Sequence, residues 1–331
     1  MRKIFFVLIL MLSVIHTQEE KKETSKEKYV PVRFSKEMRG SFNGTKMSYL
    51  ASHYETILYE KDKFNNPMAS IFVTEYRSVK NDPNRPVIFI FNGGPGSASL
   101  WLHMGVMGPK VVKVPSDATD DGSPPYELVD NHLTPLDVAD LVCIDPIGTG
   151  YSLAMGEHEN KEFWGVQQDA ETISKFVRQW IQDNNRWNSP KYILGESYGG
   201  IRGPQMLNEL RNGSLTNIEI NGIILVSPAT DLQHIRFTPG NNMPYLGYLP
   251  TFAATAYYHD KIKTTKSLED FYEEAKDFSL HEFGPALLMG ARISEKEKDN
   301  IAERLSYYSG LSKQFILNSN LRVDASSFRK E

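Results

Sequence analysis

The sequence predicts an α/β protein in which a mostly parallel sheet with crossover helices is followed by a helical segment. Continuous apolar runs such as PVIFIF at 86–91 and DLVCID at 140–145 are typical of strands buried on both faces. Residues 163–181 carry apolar side chains at helical spacing, which indicates an amphipathic helix between two such strands. From about Met243 onward strand signals become rare and helical ones frequent.

The individual elements follow from their residue patterns. A short apolar strand ends just before a Gly-rich turn, and a helix is expected to begin after Gly199. Ser267 and Ser294 are each followed three residues later by an acidic residue, which predicts capped helix starts. β-branched, aromatic and continuous apolar runs predict strands at 49–60, 70–78, 86–91, 140–145, 191–194 and 218–228.

Composition excludes several functional classes. The 331 residues are 40% hydrophobic and 24% charged, as in soluble globular proteins. The 37 basic and 41 acidic residues give a net charge of −4, without a basic stripe that would favour nucleic acid. Cys143 is the single cysteine, so no intrachain disulfide or zinc cluster is expected, and its apolar neighbours predict a buried structural thiol. No metal or cofactor is predicted, and oligomeric state is not readable.

The first 30 residues resemble an export signal and a linker. Arg2 and Lys3 precede an apolar stretch at 4–15, which is shorter than the roughly 20 residues of a membrane-spanning helix. We therefore expect a signal peptide at 1–17, export to a periplasmic or extracellular location and no stable membrane span afterwards. An uncleaved N-terminal anchor is the alternative. The charged segment at 18–30 is predicted to be a solvated linker.

The stretch KYILGESYGG places Ser197 between a buried strand and a helix, inside the pattern Gly195-x-Ser197-x-Gly199. This is the nucleophile elbow of the α/β-hydrolase fold, in which a sharp turn exposes the serine hydroxyl. Flanking glycines are required because side chains there would collide with the neighbouring strand and helix. A chance match to this loose pattern is the alternative, but the strand–turn–helix placement favours a nucleophile.

The stretch FNGGPGSAS at 91–99 predicts the second half of an acyl-transfer site. Such a site needs backbone N–H groups aimed at the developing oxyanion. One donor is expected from Tyr198 and the other from Gly93 or Gly94, where the absence of a side chain permits close approach. The glycines do not continue as a dinucleotide or phosphate-binding motif, because Ser99 stands where a third glycine would be.

Together, FNGGPGSAS, Gly108-Pro109, IDPIGTGYS at 144–152 and GESYGG resemble the serine carboxypeptidases, peptidase family S10. The form WLHMG, and Ser97 where disulfide-bridged relatives carry cysteine, resemble the bacterial branch. The resemblance implies cleavage of C-terminal residues from peptides or proteins through an acyl-enzyme on Ser197. It further implies an oxyanion hole from the Gly94 and Tyr198 N–H groups.

The same resemblance assigns substrate binding to Asn92, Gly93 and Glu196, with Asn92 and Glu196 holding the terminal carboxylate. Glu196 must be protonated to donate a hydrogen bond to another carboxylate, which predicts peptidase activity that is strongest at acidic pH. A Glu196 that merely faces solvent or caps the next helix is the alternative.

The chain departs from the family pattern at two positions of that network. Ile90 stands where the family has Trp, and Val106 where it has a second Glu. Arg202 and His103 are candidate replacements. A surface salt bridge for Arg202 and a hydrogen-bonded core position for His103 are the alternatives.

No residue after Ser197 matches the family's catalytic Asp and His. His234, His259 and His281 lack the Gly-flanked late loop of a general base, and Asp231 is predicted to shape a turn or the substrate pocket. We therefore expect that Asp and His lie beyond residue 331, that the C-terminal part of the fold is missing, and that this fragment alone has little activity. An esterase or acyltransferase, and an inactive peptide-binding fragment, are the alternative functions.

The resulting organisation has four segments. They are the signal peptide at 1–17, the linker at 18–30, the N-terminal part of an α/β-hydrolase core at 31–240 and a truncated helical insertion or cap at 241–331.

Overall fold

A computed structural model describes residues 29–60, 63–115, 122–212 and 217–331. The predicted signal peptide and the linker up to residue 28 lie outside the described residues. In the described part of the chain, no helix combines the length and the apolar character needed to cross a membrane.

Most strands belong to one mixed sheet. Asn43 and Gly44, both with positive φ, form the tight turn between the first two strands, as an Asn-Gly pair favours. The strands are β1 (Arg33–Phe42), β2 (Thr45–Glu60), β3 (Lys63–Ser78), β4 (Val87–Phe91), β5 (Lys110–Val112), β6 (Leu128–Asp130), β7 (Asp140–Ile144), β8 (Leu153–Ala154), β9 (Lys191–Glu196) and β10 (Gly222–Val226).

The spatial order in this sheet is β1-β2-β3-β7-β4-β9-β10, and β8 pairs with β3. β1, β2, β3 and β7 pair antiparallel, whereas β7, β4, β9 and β10 are mutually parallel. The predicted parallel sheet with crossover helices is thus present in the half that carries β4 and β9. Because strands in this half are parallel, the residues after β4, β7 and β9 meet at one edge of the sheet.

The first helices alternate with the strands of the sheet, whereas the described elements from Met243 onward are all helical. They are α1 (Leu100–Leu102), α2 (Val166–Asp183), α3 (Gly199–Asn212), α4 (Met243–Tyr258), α5 (Leu268–Phe278), α6 (Gly284–Met289), α7 (Glu295–Ser309), α8 (Lys313–Asn318) and α9 (Ala325–Phe328). Short 3-10 or π turns lie at Pro135–Asp137, Asn160–Phe163, Leu232–His234 and Gly290–Arg292, and at His103–Met107 and Ser279–Phe283.

The main core lies between the sheet and the helices α2 and α3. Phe89 and Trp180 pack edge-to-face with centroids 5.3 Å apart, and both are buried. Cys143 is buried against the other face of the sheet, as its apolar neighbours predict. The central strands β4 and β7 are buried along their whole length.

Residues from Met243 onward are helical among the described residues and share a separate hydrophobic cluster that includes Phe271, Phe278 and Tyr308. Both predicted helix caps are confirmed. The Ser267 side chain accepts a hydrogen bond from the Asp270 N–H, and Ser294 forms a reciprocal capping box with Glu297.

Candidate active site

Ser197 occupies the sharp turn between β9 and α3. Its φ is +55°, in the left-handed region that non-glycine residues rarely adopt. The Ser197 N–H donates to the carbonyl oxygen of Val226 at 3.0 Å, and the Ala229 N–H donates to the Ser197 carbonyl at 2.8 Å. Two hydrogen bonds from the β10 side therefore hold a strained backbone, and the Ser197 side chain is half-buried.

The glycines around Ser197 are needed for steric reasons. A Cβ built on Gly195 would lie 2.7 Å from the carbonyl oxygen of Gly199, closer than real Cβ contacts. The turn is thus so tight that the end of β9 touches the start of α3. The steric reason predicted for the flanking glycines is confirmed.

Gly93 brings the Gly-rich loop against this elbow. A Cβ on Gly93 would lie 2.3 Å from the Tyr198 nitrogen and 2.9 Å from the Ser197 Cβ, so only glycine fits. Gly94 follows with φ +109° and is exposed. Among the described residues, neither the Gly94 N–H nor the Tyr198 N–H donates to a protein acceptor. Both remain able to donate to a substrate oxygen near Ser197.

Glu196 and Asn92 meet beside this pair of N–H groups. Oε2 of Glu196 accepts from Nδ2 of Asn92 at 3.1 Å and from the Gly93 N–H at 3.3 Å. Asn92 is fully buried, and its Oδ1 accepts from the Leu102 N–H at 3.0 Å. Glu196 is half-buried, and its Oε1 has no hydrogen-bond partner among the described residues.

The two departures from the family pattern have different environments. Ile90 is fully buried in a hydrophobic cluster below the sheet edge, where it packs as an ordinary core residue. Val106 is 56% exposed and offers no polar group. Neither position supplies a donor to a substrate carboxylate.

Arg202 lies beneath the site in a buried ion pair, so the alternative of a surface salt bridge is wrong. Its Nε donates to Oδ2 of Asp169 at 2.7 Å, and its Nη1 donates to the Asn92 carbonyl at 2.7 Å. The guanidinium also lies over the rings of Phe91 and Tyr198. With 1% exposure, Arg202 connects α2, α3 and the residue that follows β4.

His103 takes the hydrogen-bonded position that the alternative predicted, and its side chain is half-buried. Its Nε2 is within hydrogen-bond distance of the Tyr76 hydroxyl. Burial lowers the pKa of His103 to about 4, so the imidazole is neutral over most of the physiological range.

Asp145 stabilises the end of the Gly-rich loop at Ser99. This role is not predicted from the sequence. Its Oδ1 accepts from the Ser99 N–H at 2.8 Å, and burial raises the pKa of its carboxyl group. A Cβ on Gly150 would lie 2.4 Å from the Asp145 Oδ2. The motif IDPIGTGYS at 144–152 contributes to the family resemblance, but it predicts no role for Asp145.

The buried ion pair of Asp169 is also not predicted above, although the position of this residue in α2 indicates a buried partner. It shares the apolar stripe of Ile173, Phe176 and Trp180, and a lone carboxylate in such a stripe usually has a buried partner. That partner is Arg202, 33 positions later in the chain.

No histidine among the described residues forms a hydrogen bond with Ser197. Asp231 caps the turn Leu232–His234 by accepting from the Gln233 N–H, and its second oxygen pairs with His234 at 3.2 Å on the surface. The turn-shaping role predicted for Asp231 is confirmed. His281 pairs with Asp277 within its own helical segment, and His259 packs against the ring of Tyr258.

The family model for serine carboxypeptidases matches residues 61–313. The chain belongs to the serine carboxypeptidase family. The elbow, the adjoining Gly-rich loop and this membership confirm the α/β-hydrolase fold.

Similar plant proteins include serine carboxypeptidase-like 9 of Arabidopsis thaliana. It is 27% identical over 175 residues, which cover 51% of this chain and 38% of the relative. Serine carboxypeptidase-like 7 of the same plant is 28% identical over 167 residues, covering 49% and 37%. The matched region thus spans well under half the length of these relatives.

Among solved structures, the prohormone-processing carboxypeptidase Kex1(delta)p of Saccharomyces cerevisiae is similar, with 19% identity and a TM-score of 0.43. The match covers 78% of this chain and 53% of the yeast chain.

Proposed function

We propose that this protein is a serine-type carboxypeptidase that hydrolyses the last peptide bond of peptides with free C-termini. Ser197 Oγ attacks the carbonyl carbon, the carbonyl oxygen becomes the oxyanion, and the C–N bond then breaks to leave an acyl-enzyme that water hydrolyses. The observation that carries the proposal is the contact of Gly93 with the elbow, which supports an oxyanion hole formed by the Gly94 and Tyr198 N–H groups.

The carboxylate of the substrate would bind at Glu196. Oε2 of Glu196 is held by Asn92 and Gly93, so a proton on Oε1 would point toward a ligand. A protonated Glu196 donates to the terminal carboxylate, whereas an ionised one repels it. Asn92 acts here by positioning Glu196. Binding of free C-termini should therefore strengthen at acidic pH.

The serine proton must pass to a general base and later to the leaving amine. Among the described residues, no hydrogen bond joins a histidine to Ser197. The proposal makes no described residue responsible for that step.

Labelling with a fluorophosphonate tests the nucleophile. We expect a covalent adduct on Ser197 that is lost in Ser197→Ala. We also expect release of the last residue from a free peptide and none from the same peptide with a C-terminal amide. An absent adduct together with no release would reject the enzymatic role. Tight binding of the free peptide in that case would favour a peptide-binding module.

An esterase or acyltransferase is the second candidate, favoured by the apolar, exposed Val106. Because position 106 has no carboxyl group, Glu196 is the one matched family position that offers a carboxyl group to a free C-terminus. Hydrolysis of an ester at the same rate with or without a free carboxylate would support this candidate.

We also propose export, based on the basic and apolar residues at 1–17. N-terminal sequencing of the protein recovered from the periplasm or medium should show removal of this segment. Recovery with residue 1 intact in the cytoplasm would contradict it.

A further inference from the structure

The peptide group between Asn92 and Gly93 is held from both of its sides. Its carbonyl oxygen accepts from Nη1 of Arg202 at 2.7 Å, and its N–H donates to Oε2 of Glu196 at 3.3 Å. The peptide bond is trans, so the carbonyl and the N–H point in opposite directions. Two side chains therefore fix the plane of this peptide, and the next N–H along the chain is that of Gly94.

Arg202 is itself held in one orientation. Its Nε donates to Oδ2 of Asp169 at 2.7 Å, so two different nitrogens of one planar guanidinium bind two different acceptors. Arg202 is 1% exposed and Asp169 is 8% exposed, so the ion pair is largely shielded from water. Hydrogen bonds from a charged donor in such surroundings are stronger than those between neutral groups. The helices α2 and α3 therefore set the orientation of the guanidinium that binds the Asn92 carbonyl.

The same guanidinium also contacts the residue that follows the proposed nucleophile. Its central carbon lies 5.3 Å from the centroid of the Tyr198 ring, a distance at which a cation is attracted to an aromatic ring. The backbone N–H of Arg202 also donates to the Tyr198 carbonyl at 3.0 Å, in the first turn of α3. Arg202 is thus linked directly to Tyr198, and to Gly94 through the peptide at 92–93.

We propose that Arg202 is a positioning residue for the reaction at Ser197. It keeps the Gly94 and Tyr198 N–H groups directed at one oxyanion. Asp169 in turn holds the guanidinium in the orientation that this role needs. The inference rests on the proposed function, because it assumes that an oxyanion forms at Ser197. The alternative is an ion pair that only stabilises the packing of α2 against α3.

Chemical rescue separates these two roles. A cavity of about 380 Å³ is lined by Arg202, Asp169 and Trp164, among others. Trp164 is 62% exposed, so the cavity gives a small ion a path from solvent to the ion pair. In Arg202→Ala, free guanidinium should therefore be able to bind between Asp169 and the Asn92 carbonyl, where the missing group was.

The first readout is the labelling of Ser197 by a fluorophosphonate, measured as a maximal rate and as an affinity. Arg202→Ala should lower the maximal rate about 100-fold with little change in affinity, because the oxyanion donors lose their alignment. Added guanidinium should raise that rate about 10-fold, whereas tetramethylammonium, which has no N–H group, should not. Arg211→Ala removes an exposed, ion-paired arginine from the same helix and should label like wild type.

Hydrogen exchange gives a second readout that needs no activity. The Gly93 N–H should exchange about 10-fold faster in Arg202→Ala and slow again with guanidinium, because the peptide loses and regains one of its two contacts. Arg202→Lys is the second variant. Its ammonium keeps the charge beside Asp169, but one nitrogen does not reproduce the two directions of the guanidinium, so labelling should slow about 10-fold.

A wild-type labelling rate in Arg202→Ala, or a lost rate that guanidinium does not raise, would overturn the positioning role and leave a structural ion pair. If Arg202→Ala does not fold, a wild-type rate in Arg202→Lys would overturn the role in the same way. Absence of labelling in the wild-type protein would reject the proposed function. Exchange of the Gly93 N–H would then still decide whether Arg202 positions this peptide.

Discussion

Asn92 donates from Nδ2 to Oε2 of Glu196 at 3.1 Å, and this bond joins the residue after β4 to the last residue of β9. Since the two strands are parallel neighbours, their ends meet and the bond also ties the Gly-rich loop to the elbow. The Gly93 N–H adds a second donor to the same oxygen. One oxygen of Glu196 is thus fixed by the protein, whereas the other has no hydrogen-bond partner among the described residues.

Glu196→Gln should make the recognition of a free C-terminus independent of pH. In wild type, the preference for a dipeptide acid over its amide should rise about 10-fold toward acidic pH, because only a protonated carboxyl group at position 196 donates to the substrate carboxylate. The glutamine amide donates at every pH, so its preference should stay flat. Calorimetric titration of the acid and the amide measures both.

The matched control is Glu157→Gln, an exposed carboxyl group that should leave the wild-type pH dependence intact. The role assigned to Glu196 would be abandoned if the glutamine variant followed the wild-type curve.

Gly93→Ala should separate the Gly-rich loop from the elbow. The added Cβ would meet two backbone atoms, the Tyr198 nitrogen at 2.3 Å and the Glu196 carbonyl oxygen at 2.7 Å, neither of which is a flexible side-chain end. The Gly94 and Tyr198 N–H groups would then no longer be positioned to donate to the same oxyanion. Labelling of Ser197 should therefore slow about 100-fold. Stopped labelling reactions followed by mass spectrometry give the rate.

Gly105→Ala is the control, because a Cβ there meets nothing within 4 Å. Unchanged labelling in Gly93→Ala would mean that the loop contributes no donor to the reaction.

The parts of the site that lie in short motifs could be predicted from the sequence. Ser197 and Gly93 could be proposed because a strand, a turn and the need for a glycine are each encoded by residues that are neighbours in the sequence. The pairing of the parallel strands then brings the two loops together. The positions of Arg202 and His103 could not be predicted in this way. Each depends on a partner far along the chain, Asp169 and Tyr76 respectively, and a side chain's burial follows from packing that no short pattern encodes.

Asp145→Ala should slow the labelling of Ser197, because Asp145 holds the end of the Gly-rich loop at Ser99. The Ser99 N–H, which donates to Oδ1 at 2.8 Å, would lose its acceptor at the point where the loop enters α1. We expect labelling of Ser197 to slow about 10-fold through the greater freedom of the loop. Asp145→Asn keeps an acceptor oxygen at the same position and should restore most of the rate.

The control for this series is Asp183→Ala at the exposed end of α2. Equal rates in the alanine and asparagine variants of Asp145 would show that the hydrogen bond to Ser99 does not position the loop.

The half-buried His103 makes folding sensitive to acid in the range where the proposed reaction should be fastest. Its pKa is lowered to about 4 by burial, against about 6.5 in an unfolded chain. Below pH 6.5 the unfolded state binds a proton that the folded state does not bind until about pH 4. The free energy of unfolding therefore falls as the pH drops through this window.

His103→Gln should remove that part of the acid sensitivity, because the amide can still bond the Tyr76 hydroxyl but does not titrate. Between pH 6.5 and pH 4, wild type should lose about 3 kcal/mol more unfolding free energy than the variant, which corresponds to the difference of about 2.5 pKa units. Urea unfolding at each pH measures the two curves. His281→Gln, at an exposed histidine, should follow wild type. Parallel curves for His103→Gln and wild type would show that His103 is protonated in the folded protein as readily as in the unfolded chain, and the neutral, buried imidazole would then have to be discarded.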